Sequence, residues 1–155
     1  MKRGIVLMLV GLLLGVGSLS AQHIVVGGYV TLPSQGVRWL SDRPDLKGKA
    51  LLVEFFHSAN AQCRERVEEV NRLAHTYNNI LNVVVVAREP VEQVADILLH
   101  QYQYAYVALD EQGTLFAQYE VPHVPYALLL SERGEVLWFG NPTHLKAETI
   151  EQLLD

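Results

Sequence analysis

The 155-residue chain has a single cysteine, Cys63, so it cannot form an intramolecular disulfide, and ordinary dithiol exchange is closed to one copy acting alone. Basic residues are also scarce. Twelve Lys and Arg stand against 17 Asp and Glu, a net charge of −5, and the positive footprint of a nucleic-acid binder is missing. Gly27-Gly28 lacks the spaced glycines of a phosphate-cradling loop, and proline in the middle of Asn141-Pro142-Thr143 excludes a glycosylation acceptor. No apolar run reaches the roughly 20 residues that a membrane-spanning helix needs. Internal repeats, low-complexity tracts and interdomain linkers are missing too, and the length suits one domain built on one core.

The longest apolar stretch, Ile5 to Val16, follows Lys2 and Arg3 and precedes small residues at Ser18, Ser20 and Ala21. That order of charge, short apolar run and small residues reads as a secretory signal peptide over residues 1–21, cut after Ala21, with a domain over 22–155. The competing reading, an uncleaved anchor, is disfavoured by the shortness of the run. Lys2 and Arg3 both fall in the signal, so its removal takes the net charge from −5 to −7. The expected product is acidic and periplasmic or secreted, with no stable membrane span. An oxidising compartment of that kind requires a free thiol to be shielded or used.

Residues His23 to Val30 and Val37 to Leu40 read as short strands around a Pro33 to Gly36 turn. Ala50 to Phe56 is a nearly continuous apolar run of strand length, suited to a strand buried on both faces, and Glu54 inside it needs a partner. Asn60 is a good helix N-cap. From there Cys63, Val67, Val70, Ala74 and Tyr77 recur at three- and four-residue spacing, predicting one helix from Asn60 to about Tyr77. Asn82 to Ala87 reads as a second buried strand, and Pro90 opens a helix to about Tyr102. Strands at Tyr104 to Leu109, Tyr126 to Leu130 and Glu135 to Gly140 follow, with a helical turn at Leu115 to Tyr119. A closing helix spans His144 to Leu154 with Thr143 as its N-cap. Strand-helix-strand-helix followed by a hairpin predicts an α/β single domain whose mixed central sheet is flanked by helices.

Four segments of this pattern carry a resemblance to the thioredoxin superfamily, in its exported TlpA-like thiol-disulfide oxidoreductase branch, over about Trp39 to Leu154. D-L-K-G-K-A-L-L-V-E-F-F (Asp45 to Phe56) resembles the family's entry into its central strand. Glu54 stands where thioredoxins carry a buried acid. N-A-Q-C-R-E-R (Asn60 to Arg66) falls on the C-x-x-C-R position, and Y-E-V-P-H-V-P-Y (Tyr119 to Tyr126) resembles the approach to the cis-proline, placing that role on Pro125. The family's nucleophilic cysteine is Asn60 here, and Cys63 holds the place of the resolving thiol. The resemblance implies catalytic roles for Cys63, Glu54 and Pro125, and client contacts at Asn60 and Val124, where the cis-proline edge offers backbone groups to an extended chain.

Three functions follow as expectations. The first is a thiol-disulfide-linked role, by monothiol exchange or by binding cysteine-containing clients, with protein thiols or extended peptides as partners. The second is a non-catalytic interaction module. The third is a copper or zinc binder in which His57 and His123 converge on Cys63, although these spacings match no known ligand signature and no cofactor is expected. Position N3 of a helix and the adjacent Arg64 and Arg66 favour a thiolate at Cys63, whereas its place at the start of the apolar stripe favours a buried, inert thiol. A peroxidase pattern fails, with Phe56 and Asn60 where proline and a hydroxyl are required.

Overall fold

The computed structural model describes residues 23–31, 33 and 36–155. The signal segment over residues 1–21 lies outside the described residues, as do Ser34 and Gln35 in the expected Pro33 to Gly36 turn.

Six strands form one sheet in the order β1-β4-β3-β2-β5-β6. They are β1 (Arg38–Trp39), β2 (Ala50–Phe56), β3 (Leu81–Ala87), β4 (Tyr106–Leu109), β5 (Tyr126–Leu130) and β6 (Val136–Gly140). β2, β3 and β4 run parallel, joined through helices, while β1, β5 and β6 pair antiparallel to their neighbours. The sheet is therefore mixed and single, as the element order predicts. β2 and β3 are buried along their whole length, which is why both read as near-continuous apolar runs.

Strand alternation divides the core. Leu51, Val53 and Phe55 face one layer with Leu115, Tyr119, Leu128 and Leu130. Ala50, Leu52 and Phe56 face the other with Cys63, Val70, Leu73, Leu98 and Ile150. Period two places Glu54 in the same set as Leu52 and Phe56, on the side covered by the helix that carries Cys63.

The helices are α1 (Ala61–Glu65), α2 (Val67–Thr76), α3 (Val91–Gln101), α4 (Thr114–Gln118) and α5 (Ala147–Leu154), with a 3₁₀ turn at Pro142–His144. Several sequence expectations need correction. The single helix from Asn60 is broken at Arg66, whose side chain is drawn inward toward Glu54. Of the expected strand Val37 to Leu40 only Arg38–Trp39 pairs, and β4 begins at Tyr106 rather than Tyr104. His23 to Val30 forms no strand and contributes one bridge, Tyr29 to Glu135, because its backbone meets β6 only near Val136. Thr143 is not the cap of the last helix. It lies inside the 3₁₀ turn, where Asn141 Oδ1 accepts its N–H, and α5 starts at Ala147 after Lys146 with no side-chain cap.

Candidate functional site

The site forms where the C-terminal end of β2, the start of α1 and the loop before β5 meet. Asn60 has extended backbone, and its Oδ1 accepts the Cys63 N–H at 3.0 Å, satisfying a donor that the first turn of α1 otherwise leaves open. Its Nδ2 donates to the Val124 carbonyl at 3.1 Å. One amide thus ties the helix start to the loop at Val124 and Pro125, whose connecting peptide is cis. The geometry brings together Asn60, Cys63, Val124 and Pro125.

Cys63 is 3% exposed and packs in the helix-side core cluster. Burial pushes its thiol pKa above the ordinary value, and the carboxylates of Glu54 and Glu89 push the same way. A hydrogen bond to the His57 backbone and the Arg66 charge act in the opposite sense and do not outweigh burial. The thiol form is therefore favoured and nucleophilicity is suppressed.

Glu54 is equally enclosed. The Arg66 guanidinium grips it with two hydrogen bonds, Nε to Oε2 at 3.2 Å and Nη2 to Oε1, and both side chains are under one-tenth exposed. Burial raises the Glu54 pKa and Arg66 holds part of that rise back. An acid held in a fork of this kind is a poor carrier for the Cys63 proton, because both its oxygens are occupied. The partner that Glu54 requires is Arg66. Arg66 was legible as a candidate, being three residues after Cys63 and so on the same helix face.

Two further residues, Glu89 and Ser58, carry no distinctive signal in the sequence. Glu89, 4% exposed at the end of β3, accepts the Ser58 N–H at 2.9 Å and the Ser58 hydroxyl. These bonds pin the loop before α1. His57 Nδ1 lies 3.6 Å from Glu89 and accepts the Ala59 N–H at 3.1 Å. His123 instead packs its ring edgewise against Tyr126, with centroids 5.9 Å apart. Among the described residues, no three His, Cys, Asp or Glu side chains are grouped to hold a metal ion, so the convergence of His57 and His123 with Cys63 on a metal has no geometric support. No helix among the described residues is long and apolar enough to cross a membrane.

A cavity of about 280 Å³ opens beside this constellation, lined by Phe56, His57 and Arg88 on one side of the chain and by Phe116 and the Val121 to Val124 loop.

The arrangement of six strands and flanking helices superposes on solved structures of similar proteins. The thioredoxin domain of a thiol-disulfide oxidoreductase from Bacteroides vulgatus matches with TM-score 0.68 and 14% identity, over 86% of this chain and all of that one. The fold is thioredoxin-like. The pneumococcal exposed lipoprotein thioredoxin of Streptococcus pneumoniae matches this thioredoxin-like chain with TM-score 0.62 and 18% identity, over 70% of this chain and 85% of that one. StoA from Bacillus subtilis matches with TM-score 0.59 and 19% identity, over 70% and 84% of the respective chains. Among curated proteins, NHL repeat-containing protein 2 from Bos taurus is 27% identical over 118 residues, 67% of this chain. The chain spans only 16% of that relative's length. No family model matches.

Proposed function

We propose that this chain is an exported, non-catalytic thioredoxin-fold module that binds an extended polypeptide segment in the cavity beside Val124 and Pro125, with Cys63 as a shielded core thiol. The observation that carries the reading is the commitment of Asn60. It occupies the place of the exchange nucleophile, and both ends of its amide are used, one capping α1 and the other holding the Val124 carbonyl. Behind it, Cys63 is 3% exposed and its pKa is raised. Glu54 is locked to Arg66. Each part of a thiol-exchange apparatus is thus either replaced or engaged elsewhere, whereas the apolar cavity remains open.

Export is supported by the charge, apolar run and small residues at the start of the sequence, and by the exposed lipoprotein thioredoxin among the similar structures. Envelope proteins or peptides in extended conformation are the corresponding partners.

The reading is tested by measuring binding of a reduced, carboxymethylated, unfolded polypeptide to the protein and to Cys63→Ala. Equal affinity is expected. Failure of the alkylated client to bind refutes the module reading, and a mixed disulfide between Cys63 and an unalkylated, disulfide-bearing client on a non-reducing gel makes monothiol exchange the correct function instead.

A further inference from the structure

The cavity that borders Val124 has a one-sided charge pattern. Phe56, Phe116, Val121 and Val124 give it apolar lining, and its polar side chains are all nitrogen-bearing: Arg88, His57 and His123. No acidic residue lines it. The nearest acid in sequence, Glu89, is buried and has both oxygens engaged by Ser58. Among the described residues Arg88 has no hydrogen-bond or ion-pair partner, although it is exposed at the cavity. Its guanidinium packs against backbone without a side chain in the way. It lies over Gly113, where a Cβ would come within 2.5 Å of Cζ, and Gly113 itself has φ +70°.

His57 adds a second donor. Because its Nδ1 accepts the Ala59 N–H, the neutral ring carries its proton on Nε2, which is left for a ligand. Polar lining that is nitrogen-bearing throughout, on a chain of net charge −5, complements a carboxylate, and the apolar walls complement a large aliphatic or aromatic group. A planar guanidinium can take both oxygens of a carboxylate at once.

We propose that the cavity selects extended peptide segments in which an acidic side chain stands beside a large apolar one. The carboxylate pairs with Arg88, assisted by His57, and the apolar group packs against Phe56 and Phe116. This deepens the peptide-binding reading above and rests on it.

The test titrates the isotopically labelled protein by NMR with an N-acetylated, C-amidated peptide, Gly-Ser-Glu-Leu-Ser-Gly, and with its isostere carrying Gln for Glu. The blocked termini restrict any carboxylate to the side chain. The Glu peptide is expected to bind about three- to tenfold tighter, with shifts at His57, Arg88 and Phe116. In Arg88→Gln the two peptides should bind equally, at the affinity of the Gln peptide for the unaltered protein. Equal affinities for the unaltered protein, or a preference that survives Arg88→Gln, overturn the acidic selectivity while leaving peptide binding intact. Failure of both peptides to shift cavity residues at millimolar concentration overturns both readings.

Discussion

Replacing Arg66 by methionine leaves the Glu54 carboxylate buried between sheet and helix with no counter-charge. The two residues are 8% and 5% exposed, and two hydrogen bonds join them. Removing one partner of such a pair typically costs about 3–5 kcal/mol, because the survivor is desolvated and unpaired. A domain of this size has about 5–15 kcal/mol in total, so the loss is a large share of it. At roughly 4 °C per kcal/mol, Tm should fall by about 12–20 °C.

Burial places the folded-state pKa of Glu54 above its ordinary 4.5. The contribution of this group to stability is therefore fully present below the unfolded-state pKa and is lost as pH rises through the folded-state value. Without Arg66 the folded-state value rises further, so the loss deepens at neutral pH. The penalty of Arg66→Met should accordingly shrink between about pH 7 and about pH 5, as Glu54 takes up a proton. Guanidinium denaturation at both pH values measures it. A Glu54→Leu, Arg66→Met double variant should recover most of the loss, since an apolar pair of similar volume leaves no charge to desolvate. The argument is refuted if Arg66→Met costs less than about 1 kcal/mol with no pH dependence, or if the double variant is no more stable than the single.

Asn60→Ala removes the cap on α1 and the tie to Val124, and denaturation should show a loss of about 1–2 kcal/mol; a change within about 0.3 kcal/mol contradicts the bridging role. Asn60→Cys places a second thiol in the first turn beside Cys63. Oxidation should lower the mass by two hydrogens, reversibly with reductant, and two persistently free thiols would show that the alignment at this segment is wrong. Gly113→Ala should cost about 1 kcal/mol from its left-handed backbone and displace the Arg88 guanidinium, visible as a weakened preference for acidic peptides. Tyr119→Phe breaks the 2.7 Å bond to the Thr31 carbonyl and should cost about 1 kcal/mol by the same denaturation assay.

The strands at Ala50–Phe56 and Tyr126–Leu130 were legible to the residue, because apolar runs bounded by charged or turn residues leave little freedom in placing buried strands. The cap at Asn60 was legible from residue type and spacing. The inward turn of Arg66 was not read, although it follows Cys63 by three. Charged residues on a helix are ordinarily solvated, and only the need of Glu54, twelve positions earlier, reverses that expectation. Glu89 could not be identified from sequence, since its burial depends on two donors from Ser58, a neighbour created by the sheet rather than by local pattern. Thr143 was misplaced for a local reason. Asn141, two residues earlier, caps a separate 3₁₀ turn that takes in Thr143, and α5 starts only at Ala147, after Lys146.

The reactivity of Cys63 in the native protein tests the central claim most directly. The protein is mixed with excess of a chromogenic disulfide reagent from about pH 6 to about pH 9, with and without denaturant, and the released chromophore is followed in time. A shielded thiol with a raised pKa predicts negligible reaction in the native protein below about pH 7.5, and one full equivalent on unfolding. Rapid stoichiometric modification of the folded protein in that range would contradict the account and restore Cys63 as an exchange nucleophile.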